Sequence, residues 1–274
     1  YEGGIAGAVC LFFLCGVVCD AGQRVFETSH SLTPIISLSK PLLLLFYTPD
    51  INGGFARLDE EESRHLLTVL RRKPGDRLRL TDGRGFFYEA ELSEIGKKHA
   101  LARILEQIPA PERVGRLHLA VAPTKQMERY EWMLEKATEL GANEFTPLQC
   151  KRSERDTVRT DRLEKIIASA MKQSLHAWLP KLNQLTAFQQ VVKNAAMPQK
   201  CLAWCSPEQL PHLKTVLRPR TDTLVLIGPE GDFTPEEVAV ALQHGFVGVG
   251  LGSARLRTET AGIFAAAVFN LTGE

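Results

Sequence analysis

Near the C-terminus two short apolar runs each break on a glycine-rich loop and then open a helix. This repeated plan constrains the fold more than any other feature of the chain. The first run reads LVLIGPEG from Leu224 and ends abruptly at Gly228, Pro229, Glu230 and Gly231. An apolar run bounded in this way predicts a buried parallel strand followed by a tight loop. Thr234, Pro235 and Glu237 then predict a helix start. Threonine is the N-cap, proline takes the first helical position, and the glutamate three residues after the cap closes a capping box. The second run, FVGVGLG, predicts a strand ending at Gly252, with LRTETAGIFAAAVFN opening a small-residue helix. The two junctions are expected to lie side by side in an open parallel sheet, where ligands bind at the carboxyl ends of the strands.

Upstream, the pattern divides in two. From Arg116 onward LHLAVAP, EFTPLQC and CLAWC read as further strands, with Met127 to Leu140 and Asp161 to His176 as helices between. Strands alternating with helices imply a parallel α/β sheet with crossover connections. Phe46 to Arg113 instead reads as short strands with frequent turns. RLRLTDGRGFFYEAELSEI predicts a hairpin turning at Asp82-Gly83, and Ser63 to Arg71 a short helix stopped by Lys73-Pro74-Gly75-Asp76. A small β-barrel with one helix is the economical reading, and IPAPERVG reads as its linker to the second domain. The expected domains are thus 44–113 and 116–274.

Composition narrows the class. With 44% hydrophobic and 24% charged residues the chain is an ordinary globular protein, and its formal net charge of +1 supplies no global field toward a polyanion. Nucleic-acid binding must therefore rest on local basic patches. Six cysteines are present, but Cys10, Cys15 and Cys19 fall in one apolar run and Cys150, Cys201 and Cys205 are scattered. That spacing predicts no zinc site and no disulfide framework, and fits a reducing cytoplasmic compartment. Ile5 to Cys19 is apolar yet shorter than the roughly 20 residues that span a bilayer, and no basic region precedes it. Residues 1–40 therefore read as a non-native extension or a hydrophobic leader, and carry none of the functional argument.

Several residues stand out for their chemistry. Gly228, Gly231 and Gly252 let a backbone approach a ligand, although single loops of this kind also serve as plain turns. A phosphate-binding loop is excluded because GPEGDFT lacks the lysine. Arg257, Thr258 and Glu259 form the densest polar cluster beside an apolar helix; a helix cap with a dipole-matched glutamate is the plain alternative. Glu230 suits tying down main-chain amides, or a direct ligand contact. Arg152 and Arg155 follow a strand's carboxyl end, and Lys125 and Arg129 follow another. Arg71 and Arg72 cluster beside His65. Each basic group can equally be a solvated face.

LIGPEGDF and LGSARLRTETAG, with HLLTVLRRKPGD and KQMERYEWMLEKATELGANEFTPLQCKRSE in the same order, resemble the RsmE-type 16S rRNA uridine-N3 methyltransferases of the SPOUT class. The resemblance covers roughly Leu45 to Thr272. It implies an N-terminal PUA-like barrel and a C-terminal knotted parallel α/β sheet with helices on both faces. It further implies S-adenosylmethionine held by Leu226, Gly228, Glu230, Gly231, Leu251, Gly252, Leu256, Thr258 and Ala261, with the leucines giving apolar contact. No metal is called for, since a sulfonium is already an activated leaving group. Methylating N3 of uridine requires the site to favour the anion, a role for the Arg257 guanidinium, with Glu259 as proton acceptor or as the group orienting Arg257. His65, Arg71, Arg72, Arg152, Arg155 and Gln173 are the implied RNA contacts, Gln173 lining the crevice.

The implied partners are 16S rRNA in the small ribosomal subunit and a second copy of the chain, with no membrane. The chain departs from the family where a basic residue often follows the last Leu-Gly: Ser253 and Ala254 stand there, and Arg255 comes one position later. Other readings stay open, namely a noncatalytic RNA-binding assembly factor and methylation of another RNA position such as a ribose 2′-hydroxyl.

Overall fold

The computed structural model describes residues 44–111 and 114–273, so the expectation for residues 1–40 lies outside the described residues. Thirteen strands and seven helices are formed there. The N-terminal sheet comprises β1 (Leu45–Tyr47), β2 (Ile51–Asn52), β3 (Phe55–Leu58), β4 (Arg77–Thr81), β5 (Phe86–Ile95) and β6 (Ala100–Pro109), paired in the order β1-β4-β5-β6-β3-β2. Inward residues of these strands, among them Phe46, Leu58, Leu80, Tyr88 and Ala102, bury one core together with Leu66. The predicted hairpin is β4–β5.

Two boundaries differ from expectation here. The helix begins earlier, as α1 (Glu60–Arg64), because Asp59 caps it through Glu62 N at 2.9 Å and three glutamates load its first turn. It continues as a π-helical turn over His65–Val69 and ends before Arg71, whose φ of 52° no helix accommodates. The predicted linker is shorter, since β6 runs through Ile108 and Pro109 opposite Phe87 and Phe86.

The larger sheet holds β7 (Leu117–Val121), β8 (Glu144–Gln149), β9 (Lys181–Leu182), β10 (Thr186–Ala187), β11 (Gln199–Ala203), β12 (Thr223–Ile227) and β13 (Val247–Val249). Its order is β10-β8-β7-β12-β11-β13, with β9 on β8, and every pairing is parallel. The helices are α2 (Met127–Glu139), α3 (Thr160–Gln173), α4 (Phe188–Asn194), α5 (Leu213–Val216), α6 (Pro235–Gln243) and α7 (Thr258–Gly273).

Strand alternation sorts the core into two layers. Val225 and Ile227 face a cluster with α2, α3, α5 and α7, while Leu224 and Leu226 face one with α4 and α6. The capping box of Thr234 and Glu237 forms as predicted. One expectation fails: β12 and β13 are not neighbours, because β11 inserts between them and pairs with both. β13 also stops at Val249, since Gly250 leaves the ladder to bridge His212, and Leu251 and Gly252 are loop.

The N-terminal sheet is anchored on the segment after α3. The β4–β5 turn gives Gly85 N to Ala177 O at 2.9 Å and takes Leu179 N on Gly83 O at 2.9 Å, and Thr81 Oγ1 donates to Ala177 O at 3.2 Å. Lys172 of α3 pairs with the buried Glu62 of α1. A Cβ on Gly85 would meet the Trp178 ring at 2.2 Å, and its φ of 96° suits glycine alone, so this turn admits no side chain.

Candidate cofactor and active site

Three loops leave the carboxyl ends of β11, β12 and β13 and surround a cavity of about 1370 Å³. Its lining combines main chain from Gly228 to Glu230 and Gly250 to Ser253 with apolar Ile227, Leu251, Leu256 and Ala261. Polar groups enter from Arg257, Thr258 and Glu259 on one side and Arg129 on another. Gly252 lies at φ 118° with open space where a Cβ would point, which is the backbone freedom that a ligand-facing loop needs. The loops are tied to one another. Thr258 Oγ1 donates to Gly228 O at 3.1 Å, and Asp232 Oδ2 accepts from Cys205 N at 2.8 Å.

Most of the expected cofactor residues line this cavity: Gly228, Glu230, Leu251, Gly252, Leu256, Thr258 and Ala261. Two do not. Leu226 is fully buried on the α4/α6 face, because β-strand alternation turns it away, and Ile227 provides the apolar contact instead. Gly231 lies outside the lining and offers its carbonyl to Arg152. Glu230 ties down a main-chain amide, but one of another loop: its Oε1 accepts from Lys125 N at 3.0 Å.

Arg257 and Glu259 both border the cavity but are unlike. Arg257 is exposed, and its side chain makes no hydrogen bond or ion pair among the described residues. Glu259 is buried, its side chain 8% exposed, and its cationic partner is Arg129 at 3.9 Å. The expectation that Glu259 orients Arg257 is therefore corrected. Arg129 was recognisable only as a base following a strand; its pairing across to α7 carries no local sequence signal.

The expected RNA contacts scatter. Arg152 Nη1 donates to Gly231 O at 2.7 Å, and Arg155 donates to Thr124 O and Lys125 O at 3.0 and 2.7 Å. Both guanidiniums are thus committed to main-chain carbonyls of neighbouring loops. Gln173 is exposed at the end of α3 and does not line the cavity. On the smaller sheet Arg71 is exposed, Arg72 is half-buried near Asp76 at 3.9 Å, and His65 lies against Phe46.

Comparison with known proteins places this architecture. The RNA methyltransferase domain family matches residues 110–270, and the RNA methyltransferase PUA domain matches residues 58–105. The ribosomal RNA small subunit methyltransferase E of Rickettsia conorii is 31% identical over 228 residues, covering 81% of this chain and 91% of the relative. The chain belongs to this methyltransferase family. Among solved structures, a probable rRNA-methyltransferase from Porphyromonas gingivalis superposes with a TM-score of 0.76 at 42% identity, over 81% of this chain and 95% of that one. The ribosomal RNA small subunit methyltransferase E of Neisseria gonorrhoeae, bound to S-adenosyl methionine, gives 0.75 at 27% identity, over 84% and 98%. The family match thus spans every loop that borders the cavity.

Three cysteines, Cys150, Cys201 and Cys205, are free. Among the described residues no group of three His, Cys, Asp or Glu is placed to hold a metal, and no helix is long and apolar enough to cross a membrane.

Proposed function

We propose that the chain methylates N3 of a uridine in the 16S rRNA of the small ribosomal subunit, with S-adenosylmethionine as donor. The observation that carries this reading is the convergence, in one cavity, of glycine-loop main chain, a small apolar lining, a free guanidinium and a buried carboxylate. The residues present fit the donor. Main-chain groups at 251–253, which make no hydrogen bond among the described residues, suit the hydrogen-bonding edge of adenine, and Ile227, Leu251, Leu256 and Ala261 suit its uncharged faces. When bound, the donor supplies a methyl group activated by a sulfonium.

The protein's own residues supply the rest. Arg257, without a side-chain partner among the described residues and bordering the cavity, stabilises charge on the uracil carbonyl oxygens as N3 loses its proton. Glu259 is the proton acceptor. The smaller domain positions the RNA through Arg71 and Arg72, in the loop between the π-helical turn and β4, where phosphate contacts fix register without reading sequence. The resembling family's homodimer and knotted thread belong to this proposal. The dimer is supported by exposed apolar groups on adjoining helices, Trp132 of α2 and Leu271 of α7. A cytoplasmic location belongs to the same proposal and accords with a ribosomal substrate.

Mass mapping of methylated nucleotides in rRNA, with and without the gene, tests the reading. Loss of one 3-methyluridine from 16S rRNA is the expected result. Loss of a ribose methyl group instead would assign the cavity to a hydroxyl acceptor, and an unchanged map would leave an RNA-binding assembly factor.

A further inference from the structure

The cavity is bordered by four carboxylates, and three of them are already occupied or peripheral. Glu230 accepts from Lys125 N, Asp232 accepts from Phe233 N and Cys205 N, and Glu208 is exposed at the rim. His212 also borders the cavity, but its Nδ1 accepts from Lys214 N. Glu259 alone among these is buried and accepts no hydrogen bond from the described residues. It sits in the first turn of α7, where the helix end favours an anion. Arg129 reaches it from the first turn of α2, yet their closest atoms are 3.9 Å apart, too far for a hydrogen bond. The guanidinium is 41% exposed toward the same cavity. Both groups therefore keep unused hydrogen-bonding capacity, donors on one and acceptor oxygens on the other.

We propose that Arg129 and Glu259 act as a pair that reads the imide edge of the acceptor base and so selects uracil over cytosine. This rests on the assignment of uridine N3 as acceptor. Uracil presents an N–H between two carbonyl oxygens. Glu259 accepts the N–H while Arg129 donates to an adjoining oxygen. Cytosine presents a bare lone pair at N3, which would face the carboxylate with no proton between them, leaving a buried charge unpaired. In the transfer itself the N3 proton passes to the Glu259 carboxylate. The nitrogen electron pair forms the new N–CH3 bond as the methyl–sulfur bond breaks, and the electrons of the broken bond stay on sulfur, leaving a neutral thioether.

The test uses full-length Glu259→Gln, Arg129→Gln and Arg129→Lys, with small ribosomal subunits from cells lacking the enzyme as substrate. Calorimetry with S-adenosylmethionine is expected to show donor affinity within about twofold of wild type in all three, while kcat at neutral pH falls by about a hundredfold or more. The wild-type rate is expected to stay flat above neutral pH. The Glu259→Gln rate is expected to climb about tenfold per pH unit, because only the ionised base then reacts. Arg129→Lys recovers little, since a point charge does not reproduce the planar fork. A parallel loss of donor affinity would overturn the proposal and give the pair to the charged amino-acid end of the donor. A pH-flat Glu259→Gln variant beside a wild type that makes 3-methyluridine would overturn the pair's role alone. A wild type that methylates no uracil N3 would overturn the reaction assignment and the pair's role with it.

Discussion

The Thr258 hydroxyl donates to the carbonyl of Gly228 across 3.1 Å, joining the first residue of α7 to the loop after β12. The two residues are thirty positions apart in the chain, with α6 and β13 between them. Both groups are buried, so the bond has no water to replace it. Thr258→Val keeps the shape and leaves the carbonyl unpaired. The expected cost is about 1–3 kcal/mol in unfolding free energy, with weaker donor binding. Calorimetric unfolding beside a donor titration checks this; an unchanged melting point and affinity would make the contact incidental.

Arg257 is expected to serve the chemical step and not the fold. Arg257→Ala should reduce methyl transfer by about a hundredfold while donor affinity holds. Raising the pH should partly restore the alanine variant, because more of the acceptor then ionises unaided. Single-turnover rates across a pH series measure this, and simultaneous loss of donor binding would return Arg257 to loop structure.

Arg152 offers a contrast. Its guanidinium holds Gly231 O at 2.7 Å, so Arg152→Ala should loosen the loop after β12 and weaken the donor on the order of tenfold, the loss of a charge-assisted hydrogen bond. RNA affinity and its salt dependence should not move. A flattened salt slope in this variant would show that the arginine also meets phosphate.

Arg71→Gln with Arg72→Gln is expected to lower the slope of log affinity for RNA against log salt by up to about 2, since each neutralised contact releases counterions. Donor affinity should be untouched. Filter binding across a salt series decides, and an unchanged slope would leave these groups solvated.

His118 is expected to lower the stability of the fold in acid. Its Nε2 lies 2.7 Å from Thr146 Oγ1, and burial pushes the imidazole below its usual range, Glu144 pulling against this and Lys181 adding to it. As pH falls below about 6.5 the unfolded chain takes up a proton that the folded state refuses. Stability contributed by neutral His118 is therefore present above that pH and declines until the folded value is reached. His118→Gln should flatten this part of the curve in denaturant titrations at several pH values; an equally steep decline would put the proton elsewhere.

What the sequence disclosed follows the range of the forces involved. Local signals read well: the Thr234–Glu237 capping box, the β4–β5 hairpin and the strand from Leu224 are all set by neighbours within a few residues. The insertion of β11 between β12 and β13 is a choice among parallel pairings that periodicity does not encode. The same limit hid the Arg129–Glu259 pair, whose members are joined only by the packing of α2 on α7. Leu226 was misplaced for a smaller reason. A run buried on both faces gives no alternation, so the residue facing the cavity, Ile227, could not be told from its neighbour.

The turn at Gly85, seated under Trp178 without room for a side chain, has a consequence for the substrate. A bolted joint of this kind holds the smaller sheet and the cavity at one set spacing. On the proposed function the protein would work as a caliper: an RNA is accepted when its own curvature carries a backbone grip and an unstacked base across that gap together. Selection of a target nucleotide would in that case be written in the folded shape of the ribosomal substrate, and flexible single strands of the same sequence would be poor acceptors.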